Sequence, residues 1–280
     1  MKACIRTLLA CALLLAVGVA EAALVAYEDF DYPGGVNLNS LNGGTGWSGA
    51  WANTGVTGFG TSGTGQSLYF DQPGPLITDG SNHIFSSGNR GSERDWTTAV
   101  DLASTTFYFT ALVHFANNAD QVNLRAEFYD GPGATNNMRT NVGVTQGTLF
   151  THVTASGYNP AGGGSASANL SNNTTYLLAM KRTGGGGGMI FASLIPADGN
   201  SGTLASEPIW QVSDAGASGV DLTSMRLIAD GSSGLIRIDE LRLATDWASA
   251  VDGIVIPEPG SLALLSLGGL FALRRRRRDV

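Results

Sequence analysis

The feature that most narrows what this chain can fold into is a period of two. From Thr106 to Phe115, the residues Phe107, Phe109, Ala111, Val113 and Phe115 alternate with Tyr108, Thr110 and His114. An extended strand sends successive side chains to opposite faces and so collects the first set on one side. Gln121 to Tyr129 repeats the pattern, with Val122, Leu124, Ala126 and Phe128 facing one way and Gln121, Asn123, Arg125, Glu127 and Tyr129 the other. The two runs read as an antiparallel pair across Asn117-Asn118-Ala119-Asp120. Further runs are Ser67 to Phe70, Asn141 to Gln146, Leu149 to Thr154, Thr175 to Arg182, Met189 to Ile195, Ile209 to Val212, Ser224 to Ala229 and Leu235 to Leu243, split by Gly, Asn, Ser, Asp and Pro. No amphipathic helix of any length stands among them. Glycine, at 39 of 280 residues, is about twice its usual share of roughly 7% and follows no three-residue period, which suits a body of many turns. Ten or more strands in one body predict a single all-β sandwich rather than two small domains. In the last run Ile236 and Ile238 alternate but Leu241 and Leu243 are out of phase, so a bulge at Asp239 or Glu240 is needed to restore the register. The glycine tract 184–188 reads as a hairpin loop; no lysine-serine pair and no helix follow it to make a phosphate cradle.

The ends carry a different message. Lys2 and Arg6 precede an apolar run from Leu8 to Ala20, closed by Ala20-Glu21-Ala22, the charged, apolar, small-residue order of a secretory signal peptide. The cut is placed after Ala22, giving a leader over residues 1–22 for signal peptidase. The 13 apolar residues rise only about 20 Å as a helix against a hydrocarbon core of about 30 Å. Both cysteines, Cys4 and Cys11, fall in this leader, so the body carries no thiol, disulfide or cysteine-bound metal. At the other end Pro257-Glu258-Pro259-Gly260 leads into apolar Ser261 to Leu273 and then Arg274, Arg275, Arg276, Arg277 and Arg278. Arginines beside an apolar stretch stay on the cytoplasmic side, so both ends hold residues 23–251 outside the inner membrane. An apolar stretch this short is a weak permanent span and reads as a transient insertion, later removed.

Of 16 basic and 23 acidic residues, seven basic (Lys2, Arg6 and Arg274 to Arg278) and three acidic (Glu21, Glu258, Asp279) belong to the ends. The body keeps nine against 20, near −11, with Lys181 its one lysine. Such a surface repels phosphates, which argues against nucleic acid as a partner.

Pro257-Glu258-Pro259, a short apolar helix and an arginine cluster within residues 257–280 resemble the PEP-CTERM sorting signal of Gram-negative bacteria, joined to the body by a linker over residues 252–256. The resemblance implies recognition by an exosortase that cuts near the Pro-Glu-Pro motif and delivers the protein to the envelope, cell surface or extracellular polymer matrix. It assigns no activity to the body. There, Tyr27-Glu28-Asp29-Phe30-Asp31-Tyr32-Pro33, Asn42-Gly43-Gly44-Thr45-Gly46-Trp47-Ser48-Gly49-Ala50-Trp51 and Ile238-Asp239-Glu240-Leu241-Arg242-Leu243 with Trp247 resemble exported bacterial proteins with a concanavalin A-like lectin/glucanase jelly-roll sandwich. That resemblance implies that the first and last strands lie near one another.

Chemistry is sparse. No glycine-flanked serine elbow is present, and His83, His114 and His152 have no motif partners. Glycosidases on this fold carry carboxylates on one strand face as Glu-x-Asp-x-Glu; the nearest segments here, Glu28 to Asp31 and Glu127 to Asp130, set acids three apart and so on opposite faces. Asp29 with Asp31, or Asp239 with Asp246, are acidic enough to suggest calcium but lack a calcium-loop spacing, so no metal or other cofactor is assigned. Carbohydrate binding needs only aromatic faces and amide or carboxylate edges. Asn123, Arg125, Glu127 and Tyr129, with Tyr108 and His114 from the paired strand, would form such a patch if that face is concave. The plainer alternative is a solvated sheet face with Arg125 and Glu127 in cross-strand pairs. Trp47 and Trp51 either stack on sugars or plug an open end of the sandwich. The expected function is an exported, non-enzymatic sandwich binding polysaccharide; the alternatives are a structural or adhesive matrix protein and a divergent glycan hydrolase.

Overall fold

The computed structural model describes residues 24–54, 57–62, 68, 83–86, 88, 90–117, 119–132, 138–153, 163–197, 204, 206–216, 220–230 and 235–251. The leader, the linker, the sorting tail and, of the expected Ser67 to Phe70 strand, all but Leu68 lie outside these residues, and Leu68 itself is not in a strand. The described chain forms two antiparallel sheets. One contains, in order, β13 (Val212–Ala215), β12 (Met189–Pro196), β11 (Thr174–Arg182), β6 (Phe107–Phe115), β15 (Ile236–Ala244), β4 (Ile84–Ser86) and β3 (Gly60–Thr61), with β1 (Leu24–Glu28) also paired to β15. The other runs β10 (Gly164–Ser167), β9 (Thr148–His152), β8 (Met138–Thr145), β7 (Asn123–Tyr129), β14 (Asp221–Asp230), β5 (Arg90–Asp101) and β2 (Ala52–Asn53). A five-residue helix, α1 (Trp247–Val251), follows β15.

The expected hairpin between Thr106–Phe115 and Gln121–Tyr129 does not form. β6 pairs with β11 and β15, while β7 pairs with β8 and β14 in the opposite sheet. The reason lies in the apolar faces themselves. Phe107 and Phe109 each meet Phe128 edge-on at 5.3 Å between ring centroids, so the two strands are neighbours through the core rather than along a ladder. Both faces of β6 are buried. Its phenylalanines enter the core between the sheets, and Tyr108 and Leu112 enter a second cluster on the outside, where Trp247, Ala250, Val251, Leu68 and Leu204 cover the sheet.

The bulge is where the alternation demands it. Pairing of β15 with β6 slips between Asp239 and Arg242, and Glu240 takes a φ of 52°. On one side of the slip Ile236 to Ile238 pair with β4; on the other Leu241 to Ala244 pair with β1. The first and last strands are therefore neighbours. Glu240 accepts from Arg242 at 2.7 Å and from the Tyr27 hydroxyl at 3.1 Å, so the bulge turns a carboxylate inward onto a prepared partner.

The tract 184–188 closes the hairpin between β11 and β12, which pair down to Arg182 and Ile190. Gly185 and Gly187 take φ values of 110° and 109°, a region that L side chains rarely enter. Gly164 serves another purpose, because it lies in β10 and a Cβ there would collide with the Ser213 carbonyl of β13. Bare backbone lets the edges of the two sheets touch. Ile209 to Val212 is not a strand as expected; pairing begins only at Val212.

The longest strand, β5 at 12 residues, shows no alternation of apolar residues, because Ser92 and Arg94 take inward positions opposite Leu227 and Met225. Arg94 is tolerated there because Glu28 meets it; both side chains are 0% exposed. Glu28 also accepts from Trp51 Nε1 at 3.1 Å, the Tyr32 hydroxyl at 3.0 Å and the Phe30 amide at 3.0 Å. Burial pushes the Glu28 carboxyl above its ordinary range, with Arg94 and these donors pulling against it. Arg94 in turn donates to the Gly49 carbonyl at 2.7 Å, the Gly43 carbonyl at 3.0 Å and the Asn42 side chain. Its guanidinium lies 4.8 Å from the Trp47 ring and 5.5 Å from the Trp51 ring. The glycine- and tryptophan-rich segment is thus wrapped around one buried ion pair. Trp51 is a buried plug and Trp47 a half-buried one.

Candidate functional site

The alternation in β7 places Leu124, Ala126 and Phe128 in the core and leaves Asn123, Arg125, Glu127 and Tyr129 on the outer face of the seven-stranded sheet. Glu127 is their hub. It accepts from Arg125 Nε at 2.6 Å through one oxygen and from the Tyr129 hydroxyl at 2.6 Å through the other. Arg125 and Glu127 therefore pair along one strand, while Glu127 also stands 3.9 Å from Arg226 across the ladder to β14, a cross-strand pair of the kind the plainer reading expects. Burial first, and then the Glu127 carboxylate beside it, hold the Tyr129 phenol above its ordinary value, so it stays a proton donor. Asn123 accepts from the Thr145 hydroxyl of β8.

The register carries this face across the neighbouring strands. His152 of β9 stands opposite Asn141 of β8, Asn141 opposite Glu127, Glu127 opposite Arg226 of β14, and Arg226 opposite Glu93 of β5. At about 4.8 Å per strand the row of five spans roughly 19 Å. Arg226 lies with its guanidinium 5.2 Å from the Tyr129 ring, donates to Glu93 at 3.2 Å and stands 3.9 Å from Glu127. Burial raises the Glu93 carboxyl, with Arg226 pulling it back. His152 Nδ1 is 3.3 Å from Asp214. Asn141 is 3% exposed, its amide nitrogen is directed to Met138 Sδ at 3.5 Å, and its Oδ1 has no hydrogen-bond partner. Gly143 lies beside it, and a Cβ there would collide with the Phe150 ring and with Arg125 Cβ. The missing side chain lets Phe150 approach Arg125.

Tyr108 and His114 are not part of this face. Because β6 belongs to the other sheet, both point away from the opposite side of the sandwich. Tyr108 donates to Glu207, which also takes Lys181 Nζ at 2.8 Å and Trp210 Nε1 at 3.1 Å. His114 Nδ1 is 3.0 Å from the Thr175 hydroxyl. Of the six expected residues the structure groups four. It adds Glu93, Asn141, His152 and Arg226, of which Asn141 and His152 were legible by strand parity. Arg226 was legible in the same way, between Met225 and Leu227 of the Ser224 to Ala229 run, whereas Glu93 lies in no run that the sequence marks.

Two carboxylates, Glu93 and Glu127, share this face two strands apart, but Arg226 stands between and contacts both. The other acid pairs are also committed elsewhere. Glu28 is in the buried ion pair, Asp130 is bound by Arg139, Asp239 accepts from the Leu68 and Glu240 amides at 2.9 Å each, and Asp246 caps α1 by accepting from Ser249 N at 3.0 Å. Among the described residues no group of three or more His, Cys, Asp or Glu side chains is arranged to hold a metal ion.

Known proteins resemble the chain at two levels. The PEP-CTERM protein-sorting motif model matches residues 255–278, beginning two residues ahead of the Pro-Glu-Pro-based boundary. No curated protein matches the chain in sequence. In structure, the chain is similar to the globular domain of T. cruzi calreticulin, at 8% identity and a TM-score of 0.50, over 91% of this chain and 100% of that one. A protein of unknown function from Shewanella oneidensis MR-1 aligns at 15% identity and a TM-score of 0.46, over 87% and 96%. The carbohydrate recognition domain of Emp47p aligns at 8% identity and a TM-score of 0.44, over 82% and 99%. The chain is a two-sheet antiparallel β-sandwich similar in fold to that calreticulin domain, and it carries a PEP-CTERM protein-sorting motif over residues 255–278.

Proposed function

We propose that this protein is an exported, non-enzymatic binder of extracellular polysaccharide. It is cleaved by signal peptidase after Ala22, held by residues 257–280 transiently in the inner membrane, and processed by exosortase near Pro257 for delivery to the cell surface or matrix of a Gram-negative bacterium. Residues 252–256 serve as the linker. The observation that carries the binding role is the row His152, Asn141, Glu127, Arg226, Glu93, with a buried acceptor, Asn141 Oδ1, that has no partner. A row of fixed donors and acceptors across five strands suits an extended polymer of hydroxyl-bearing units, since each hydroxyl both donates and accepts. Arg125 and Tyr129 border the row. The acidic body makes nucleic acid an unsuitable ligand.

The test is a glycan array followed by calorimetry on the polysaccharide retained. Arg125→Ala with Tyr129→Ala is expected to weaken binding at least about tenfold, the loss of one or two good polar contacts. Tyr108→Phe, on the opposite sheet, is expected to leave it unchanged. Equal effects from both variants, or no glycan retained by the parent protein, would overturn the binding role in favour of a structural or adhesive one. Turnover of a polysaccharide that disappears in Glu127→Gln would replace it with a hydrolase.

A further inference from the structure

Ile209 is 93% exposed, whereas the next most exposed large hydrophobic residues among the described ones, Val36 and Met189, reach 42% and 38%. It is not at the tip of a free loop. The Ile209 carbonyl accepts from the Ser193 hydroxyl at 3.3 Å, and the Gln211 amide donates to the Ala192 carbonyl at 3.0 Å. The Gln211 side chain also bonds Leu194 at both its amide, 3.0 Å, and its carbonyl, 3.2 Å. The segment is tied to β12 at Ile209 and Gln211 and, two residues before Ile209, to β11 and β6 through Glu207, so the backbone that carries the exposed side chain is held in place.

Its neighbours say which way it faces. Trp210 packs on Phe191 at 6.2 Å and meets Trp247 of α1 edge-on at 6.1 Å. Helix α1 lies on the outside of the eight-stranded sheet, pinned by a hydrogen bond from the Thr110 hydroxyl to the Ala250 carbonyl at 2.5 Å. Its last residue is Val251, and the apolar tail begins after Gly260. Nine residue steps extend at most about 32 Å, so a tail embedded in a bilayer tethers the C-terminal end of α1, which packs on Trp210 through Trp247, within that distance of the lipid. Glu207, two residues before Ile209, has its charge met by Lys181 at 2.8 Å, which removes a local obstacle to approaching an apolar phase.

We infer that Ile209, backed by Trp210, is the point at which the sandwich rests on the lipid surface while its tail is held there. The inference rests on the tail reading given above. An isoleucine beside a tryptophan is suited to the water–hydrocarbon boundary. The body is too acidic to be drawn to anionic lipid by charge, so the contact depends on the tail, which raises the local concentration of lipid at this rim. The geometry has a further consequence. The row around Glu127 and Asn141 lies on the outer face of the other sheet, and is therefore turned away from the membrane toward the exterior.

The absence of cysteine from residues 23–251 permits an unambiguous test. The mature chain with its tail is prepared as Ile209→Cys and, separately, as Ser165→Cys, an exposed position on β10 of the opposite sheet. Each is labelled with an environment-sensitive fluorophore and mixed with vesicles of phosphatidylethanolamine and phosphatidylglycerol. Flotation reports tail insertion independently of the label. The expected result is flotation of both proteins, with a blue shift and a roughly twofold rise in emission at position 209 as the probe enters the interface, and no change at position 165. Flotation without a change at 209 overturns the contact and leaves the tail reading standing. Failure to float overturns both. A rise at 209 that grows with protein concentration in the absence of vesicles assigns the surface to a second copy of the chain and also overturns the contact.

Discussion

Glu28→Gln is the substitution whose consequence follows most directly from the buried ion pair. Glu28 and Arg94 are both 0% exposed, and Glu28 is an acceptor for four donors: Arg94, Trp51 Nε1, the Tyr32 hydroxyl and the Phe30 amide. Glutamine keeps the shape but removes the charge, and offers one carbonyl oxygen where the carboxylate offered two. Arg94 is left as an uncompensated cation away from water, which costs about 3–5 kcal/mol. For a body of this size, each kcal/mol lowers the melting temperature by about 2–4 °C, so the fall is about 6–20 °C. Thermal unfolding of the whole chain at neutral pH, followed by near-ultraviolet circular dichroism, reads it through the tryptophans that surround Arg94. The double replacement Glu28→Leu, Arg94→Met is expected to cost less than Glu28→Gln, because no buried charge is orphaned. A fall below about 3 °C for Glu28→Gln, or a double variant costing as much as the sum of its parts, would refute the coupling.

Gly164→Ala drives a Cβ against the Ser213 backbone and is expected to cost about 1–3 kcal/mol in urea unfolding, whereas Gly49→Ala, with no atom near its Cβ, leaves the midpoint within error. Burial alone would raise the Glu207 carboxyl, but hydrogen bonds from Lys181, Tyr108 and Trp210 outweigh it and the net shift is downward. Its contribution to stability is therefore present above its unfolded value near 4.5 and is lost as pH falls through the depressed folded value. Melting temperatures of the parent and Glu207→Gln should converge below that pH; curves that stay parallel would refute the assignment. Thr110→Val deprives the Ala250 carbonyl of its donor and is expected to speed hydrogen exchange of the α1 amides while leaving β6 protected. Equal protection in both proteins would show that α1 is held by its apolar contacts alone.

Which side chains face inward was legible along β7 and β15, because there the inward residues are apolar and the phase break at Asp239 and Glu240 could be read as a bulge. Which strands pair was not legible. Periodicity reports the face that a strand buries and contains nothing about its neighbour in the ladder, so β6 and β7, adjacent in the chain, read as a hairpin although their phenylalanines meet through the core. That one difference divided the expected site, sending Tyr108 and His114 to one side and leaving four residues on the other. β5 carries no local signal for a related reason: its inward Arg94 makes sense only beside Glu28, 66 residues earlier, and a partner so distant leaves no local pattern.

The same long-range closure bears on export. β15 lies inside the eight-stranded sheet, hydrogen-bonded to β6 on one side and to β4 and β1 on the other, and Tyr27 reaches Glu240 across 213 residues of chain. The sheet is incomplete until residues 236–244 have emerged, and closing such distant contacts is slow relative to local structure. Until then the unpaired edges of β1, β4 and β6 are open to pairing with other chains. A sorting motif that begins at residue 255, four residues beyond α1, leaves the whole sandwich free to fold before the tail is reached. The processing proposed for the tail therefore acts on a body whose final strand can already be in place.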